Sequence, residues 1–136
     1  MFQGRDAPAS RIDATMAGAR RVAKPWGHEL IWALTDRYCG KVLTIETGKR
    51  LSLQRHVVKD ESILVVSGRL LLTLEDATGA VRQEELGAGE HRRIESGRIH
   101  RYEALERVEL VEVSTPELDD VVRLEDDYGR EGTNAP

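Results

Sequence analysis

The feature that most constrains the fold is a succession of short β-type runs. Nine such runs follow one another, at residues 28–34, 41–46, 50–57, 62–68, 69–75, 80–86, 91–95, 100–105 and 107–113. Glycine and aspartate mark most of the links between them, and Asp76–Gly79 has the composition of a hairpin turn. Short strands at this spacing predict an all-β barrel or sandwich, with clear alternation at Val108 and Leu110.

Composition excludes several classes of protein. The length of 136 residues suits one domain, and the hydrophobic fraction of 40% suits a globular one. A net charge of −4 argues against nonspecific nucleic-acid binding, and no apolar run approaches the roughly 18 residues of a membrane span. Cys39 is the single cysteine, which excludes an internal disulfide, and the first residues lack the apolar segment of a signal peptide. We therefore expect a cytoplasmic protein without nucleic-acid or membrane partners.

Four residues with metal-ligating side chains lie in two glycine-bounded stretches. They are Gln54, His56 and Glu61 within residues 48–68, and His100 at the end of residues 89–100. Gln54 and His56 are two positions apart, so on a strand their side chains leave the same face. Two imidazole nitrogens and two side-chain oxygens suit one borderline divalent ion. His28 and His91 fall outside this pattern and are expected to be ordinary exposed residues.

The two stretches resemble the two motifs of the cupin superfamily. Gln54 stands where many cupins have a first His, Glu95 where a Pro is usual, and Ala104 where an Asn is usual. The resemblance implies a double-stranded β-helix, or jelly-roll, barrel.

A narrower resemblance is to the cupin domain of mannose-6-phosphate isomerases, including the C-terminal half of bifunctional isomerase/guanylyltransferases. It rests on Lys24-Pro25-Trp26-Gly27, Tyr38, Lys41, residues 51–56, Glu61, residues 65–68, His100, Glu112-Val113, residues 119–123 and Asp127-Tyr128-Gly129-Arg130. The sequence departs from the family's pattern at Val58, Lys59, Ile63 and Ser114.

The resemblance implies a site as well as a fold. Gln54, His56, Glu61 and His100 are the expected ligands of one divalent ion, with Zn the first choice and Mn, Ni, Fe or Co the others. A neutral amide among the ligands keeps the ion electrophilic, which suits Lewis-acid catalysis. Lys41 and Arg123 are the expected catalytic residues, and Lys41, Lys59 and Arg123 the expected substrate contacts. A guanidinium can hold a phosphate or an enediolate in a bidentate manner.

The chain divides into three parts on this reading. Residues 1–22 form a loose N-terminal arm, with a weak helical pattern from Asp13 to Arg21, residues 23–130 form a single cupin domain, and residues 131–136 form a frayed tail. The charged segment after the last strand is expected to fold back on the barrel. Arg130 could equally be structural, paired with Asp120 or Asp127, or reach the substrate, and Trp26 is expected to pack in the core or a lid.

The predicted function is metal-dependent aldose–ketose isomerisation of a sugar phosphate or a related sugar, by a homodimer. No free carboxylate can be placed inside the barrel from sequence, so the general base is unassigned. The alternative is a non-catalytic sugar-binding or regulatory cupin, favoured by the apolar replacements Val58 and Ile63. An empty scaffold is a third reading. Two histidines and one carboxylate also resemble the iron site of redox enzymes.

Overall fold

Nine antiparallel strands build the part of the chain that a computed structural model describes, residues 18–133. The strands are β1 (Arg20–Lys24), β2 (Gly27–Leu34), β3 (Cys39–Ile45), β4 (Leu53–Arg55), β5 (Glu61–Glu75), β6 (Val81–Leu86), β7 (His91–Ile94), β8 (His100–Ser114) and β9 (Val122–Glu125). The predicted all-β class is confirmed. Within residues 18–133 no helix is long and apolar enough to cross a membrane.

Strand β8 organises the sheet, because it pairs with three other strands. Its second half lies against β3, its whole length lies against β5, and His100 at its start lies opposite Gln54 of β4. The sheet continues from β3 through β2 to β1, and from β5 to β6 and β7. These pairings curl the strands into the predicted jelly-roll barrel.

Strands β5 and β8 are longer than the sequence predicts, because each joins two predicted runs. Gly68, which looks like the end of a strand, lies inside β5, where the pairing with β8 shifts register three times between Val65 and Leu70. Gly68 has φ 85°, and a Cβ added there would lie 1.9 Å from the carbonyl oxygen of Arg107. Glycine therefore permits a bulge that bends the strand without ending it.

The hydrophobic core fills the barrel between these long strands. Leu70, Leu72 and Leu110 are fully buried, as alternation along β5 and β8 requires. Trp26 packs in the same cluster, as predicted.

The two histidines outside the ligand group differ in exposure. His28 is buried, at 5% exposure, and its Nδ1 lies 3.2 Å from Nη2 of Arg21, so the expectation of an exposed His28 is wrong. His91 is exposed.

Both ends of the described chain join the barrel. Strand β1 begins at Arg20 and pairs with β2, so residues 20–22 belong to the sheet although the sequence assigns them to the arm and its weak helix. The rest of the predicted arm, residues 1–17, lies outside the described residues. The C-terminal segment folds back as predicted, because β9 pairs with β4 and Asp127 binds Arg50 through two hydrogen bonds of 2.7 and 2.9 Å.

Candidate metal centre

The fold brings three of the predicted ligands together on the inner face of the barrel. His56 follows β4, Glu61 begins β5, and His100 begins β8. All three side chains are buried, and one ligand atom from each lies within 4.8 Å of the others. Glu61 Oε1 lies 2.7 Å from Nε2 of His56 and 3.3 Å from Nε2 of His100.

The other nitrogen of each imidazole fixes its tautomer. His56 Nδ1 lies 2.5 Å from the backbone oxygen of Asp120, and His100 Nδ1 lies 2.9 Å from that of Arg98. A carbonyl oxygen only accepts hydrogen bonds, so we assign the proton to Nδ1 in both rings. Each Nε2 then presents a lone pair toward Glu61, as metal-binding histidines do when a carbonyl orients them.

Glu61 is the anionic member of this group. Burial would raise the pKa of its carboxyl, but the positive charge of Lys59 lowers it and favours the ionised form. A carboxylate and two imidazole lone pairs therefore face one another without a donor between them. A cation would satisfy all three acceptors, so this donor set fits a divalent metal ion.

Gln54 lies beside this group, directly across the sheet from His100. Its amide nitrogen donates to Oγ of the buried Ser52 at 3.0 Å. That bond leaves the amide oxygen as the atom suited to an ion, and the role of Gln54 as a fourth ligand stays a prediction.

Asp120 fixes the loop that follows His56. Its carboxylate accepts hydrogen bonds from the backbone N–H groups of Val57, Val58 and Lys59 at 2.7–2.9 Å. These bonds hold the pKa of Asp120 below its usual range, although burial opposes the shift. The returning C-terminal segment therefore orients His56 through the backbone of Asp120 and supports the adjoining loop through the side chain.

A cavity of about 560 Å³, counted out to its open mouth, lies beside the ligand group. Eight of its lining side chains are charged: Lys24, Lys41, Lys59, Arg123, Arg130, Glu29, Glu61 and Glu112. Five of these are cationic and three are carboxylates, so the lining carries two more positive than negative charges before any ion binds. An anionic ligand is favoured by such a lining.

Both predicted lysines point into this cavity. Lys41 Nζ lies 3.2 Å from Oε1 of Glu29, and Lys59 Nζ lies 3.2 Å from Oε2 of Glu112. All four side chains are buried. Burial and then the charge of Glu61 raise the pKa of Glu112 to about 7, despite the opposing effect of the two lysines.

Arg123 has one buried side-chain nitrogen without a hydrogen-bond partner among residues 18–133. Its Nη1 donates to the backbone oxygen of Thr133 at 2.7 Å, whereas its Nε is the nitrogen without a partner. Burial and then the nearby Arg130 lower its pKa. Arg130 instead pairs with Asp126 at 2.8 and 3.0 Å, so the expected pairing with Asp120 or Asp127 is wrong.

Several residues of the cavity are absent from the sequence-based set. Glu29, Glu112, Lys24 and Tyr102 all line it. Two carboxylates that could not be placed from sequence, Glu29 and Glu112, therefore lie inside the barrel, each paired with a lysine. Glu112 is in phase with Val108 and Leu110 along β8, and this alternation is the signal that could have placed it inside.

The two apolar replacements do not shape the cavity. Val58 is 62% exposed, Ile63 is 1% exposed within the core, and neither lines the cavity. The apolar pocket mouth expected from them is therefore wrong for the cavity described here.

Solved structures with a similar architecture define the class of protein. Oxalate decarboxylase from Bacillus subtilis matches with a TM-score of 0.71 and 17% identity, over 80% of this chain and 31% of that one. KdgF from a Halomonas species matches with a TM-score of 0.61 and 20% identity, over 70% of this chain and 84% of that one. A second structure of the Bacillus enzyme comes from work on its Mn(II) centres. It matches with a TM-score of 0.65 and 16% identity, over 74% of this chain and 28% of that one. The fold is that of a cupin, as predicted.

Sequence comparison then gives the family. Residues 12–126 match the C-terminal domain of mannose-6-phosphate isomerases, and the chain belongs to this family. The alginate biosynthesis protein AlgA of Pseudomonas aeruginosa is 35% identical over 113 residues, which are 80% of this chain and 23% of that protein. The mannose-1-phosphate guanylyltransferase ManC of Salmonella typhimurium is 36% identical over 116 residues, 82% of this chain and 23% of that protein. The chain thus spans about a quarter of the length of these relatives.

Proposed function

We propose that this protein is a metal-dependent aldose–ketose isomerase that acts on a sugar phosphate of the mannose 6-phosphate type. The observation that carries the proposal is the position of the three ligand atoms beside a cavity with excess positive charge. The family match and the enzymatic relatives in mannose phosphate chemistry support the same substrate class.

His56, Glu61 and His100 would hold the ion, with the amide oxygen of Gln54 as a fourth ligand. A bound divalent ion, with Zn²⁺ as our first choice, would supply a Lewis acid for the carbonyl and hydroxyl oxygens of the sugar and stabilise their developing negative charge.

The phosphate would bind at the cationic side of the cavity. Arg123 is the main candidate, because its buried Nε lacks a partner within the described residues. A phosphate oxygen would accept that hydrogen bond and complete the guanidinium's set. Lys41 and Lys59 would add positive charge, and each remains held in place by its glutamate.

Isomerisation also requires a proton to move between two neighbouring carbons of the sugar. Glu29 and Glu112 are the two lining carboxylates that are not assigned as metal ligands, and both are buried. Each could accept the proton from carbon and return it to the neighbouring carbon. Replacing each by Gln keeps its shape and removes its basicity, so the variant that loses turnover while retaining sugar-phosphate binding identifies the base.

Conversion of mannose 6-phosphate to fructose 6-phosphate tests the function directly. We expect turnover with the metal-loaded wild type, and loss of turnover after chelation that returns when metal is added back. Arg123→Ala should lower affinity for the sugar phosphate at least about tenfold, because it removes a charge-assisted contact of roughly 1.5–3 kcal/mol. Arg50→Ala is the matched control, because Arg50 binds Asp127 and does not line the cavity.

The alternative function is metal-dependent sugar-phosphate binding without catalysis. Its specific support is that both candidate bases, Glu29 and Glu112, are engaged by the ammonium groups of Lys41 and Lys59. The same experiment separates the two functions. Sugar-phosphate binding that depends on Arg123, without conversion of mannose 6-phosphate, would favour the binding protein. Equal sugar-phosphate affinity in the wild type and Arg123→Ala would show that Arg123 is not part of the site.

A further inference from the structure

Tyr102 has a buried hydroxyl group that the proposed reaction does not use. It lies two residues after His100 on β8, so both side chains face the interior, and their ring centroids are 5.5 Å apart. Tyr102 is 2% exposed and lines the cavity. Its hydroxyl has no hydrogen bond of normal geometry within residues 18–133.

An unpaired hydroxyl in this position is unfavourable for the fold alone. Burying a hydroxyl without a partner costs free energy, and phenylalanine would fill the same space without that cost. The hydroxyl therefore indicates an acceptor within the cavity. Glu61 lines the same cavity, and its Oε1 lies 3.3 Å from Nε2 of His100, whose ring is the neighbour of the Tyr102 ring, so its carboxylate is the acceptor that we assign.

The hydroxyl of Tyr102 can serve only as a donor toward a carboxylate. A phenol has an ordinary pKa of about 10 and therefore carries its proton at neutral pH. A neutral phenol beside a carboxylate can donate but has no reason to lose its proton. Glu61 needs such a donor, because Oε1 faces both imidazole nitrogens and the carboxylate must be held in one orientation to serve as a ligand.

We propose that Tyr102 is a positioning residue whose hydroxyl donates a hydrogen bond to the Glu61 carboxylate when the centre is loaded, and thereby sets the metal affinity. The inference rests on the proposed metal centre, and it gives Tyr102 a role that acts through Glu61 rather than by contact with the ion. Hydrogen bonds of this kind to ligating groups change metal affinity or activity by about 10–100-fold.

Tyr102→Phe tests the proposal, because it removes only the hydroxyl. Zn²⁺ affinity, measured by competition with a chromophoric chelator, should fall about tenfold or more. The visible spectrum of the Co²⁺-substituted protein should shift, since the carboxylate ligand loses its fixed orientation. The thermal midpoint of the metal-free protein should stay the same or rise, because a buried unpaired hydroxyl has been removed.

Tyr128→Phe is the matched control, because Tyr128 packs against the core and does not line the cavity, and its metal affinity should equal that of the wild type. Unchanged Zn²⁺ affinity in Tyr102→Phe would overturn the proposal. A lower affinity with a lower midpoint of the metal-free protein would also overturn it, by showing a structural role. The isomerase proposal fails separately if the wild-type protein binds metal but does not convert mannose 6-phosphate. Wild-type protein that binds no divalent ion would overturn both.

Discussion

The interior of this barrel has two regions of opposite character, although the same strands build both. In one region, β5 and β8 contribute only apolar side chains, such as Leu70, Leu72 and Val108, all fully buried. In the other, the same strands contribute Glu61 and Glu112, which are equally well buried. The charged region also holds both lysine–glutamate pairs and the candidate metal centre.

The difference separates stability from function within one fold. Burial of apolar side chains stabilises the folded state by about 25 cal/mol per Å². Buried ion pairs have a desolvation penalty that offsets much of their attraction, and apolar replacements of both partners are often neutral or stabilising. The apolar region therefore holds the barrel together, while the charged region is maintained for what it binds.

The largest effect should come from removing one member of a buried ion pair. Lys41→Met leaves Glu29 as an unpaired buried carboxylate, and we expect the free energy of unfolding to fall by about 3–5 kcal/mol. The double variant Lys41→Met with Glu29→Leu should recover that loss or exceed wild-type stability, while sugar-phosphate turnover stays low. Urea denaturation of the three proteins measures the difference. A double variant as unstable as Lys41→Met would contradict the statement that the charged region is maintained for binding rather than for stability.

Truncation of an apolar core side chain should destabilise the fold and leave metal binding unchanged. Leu72→Ala should lower the free energy of unfolding by about 2–5 kcal/mol, because Leu72 is fully buried and lies away from the cavity lining. Metal affinity should be unchanged under conditions where the variant is folded. Denaturation and chelator competition on the same sample test both statements, and a large fall in metal affinity would show that the regions are coupled.

A smaller effect is expected at the loop that supports His56. Asp120→Ala removes the acceptor of three backbone N–H groups and should lower the free energy of unfolding by about 2 kcal/mol at pH 7. The pKa of Asp120 is lowered in the folded protein, so its contribution is present above the ordinary value near 4 and is lost as pH falls below it.

The stability difference between wild type and Asp120→Ala should therefore shrink as pH falls below about 4. Asp119→Ala is the control, because Asp119 is exposed beside it. Denaturation at pH 7 and pH 3 measures the effect. A difference that is the same at both pH values would mean that the carboxylate charge does not stabilise the loop.

The smallest effect should come from the exposed ion pair between Arg50 and Asp127. Their side chains are 38% and 44% exposed, so solvent screens the pair. Arg50→Ala should lower the free energy of unfolding by less than about 1 kcal/mol, and the loss should decrease further in high salt. A loss of unfolding free energy as large as that of Lys41→Met would show that burial does not determine how much an ion pair contributes to stability.

The sequence anticipated which side chains lie together inside the barrel better than it anticipated the strand boundaries. Residue type and glycine spacing are local properties of the sequence, and they identify the candidate ligands Gln54, His56, Glu61 and His100. Gly68 has a positive φ inside β5 because the Arg107 carbonyl approaches it from β8. That contact is distant in sequence, so the same glycine looked like the end of a strand.

The buried carboxylates were missed for a different reason. Alternation places Glu112 on the inner face, but a glutamate there is usually a sign of an exposed strand. Only the tertiary pairing with Lys59 allows it to remain buried. Likewise, Arg130 pairs with Asp126 rather than the two aspartates suggested by sequence, because Asp120 and Asp127 are held by other groups.

Metal binding by wild type and His100→Ala tests the central claim most directly. His100 comes from a different strand than the other ligands, and its removal opens one side of the site while the core remains intact. We predict about one divalent ion per wild-type chain and a fall in affinity of at least about tenfold for His100→Ala, with the fold retained. His91→Ala, at an exposed position, should bind like the wild type. Isothermal titration that shows equal affinity in His100→Ala, or no ion bound by the wild type, would contradict the metal centre.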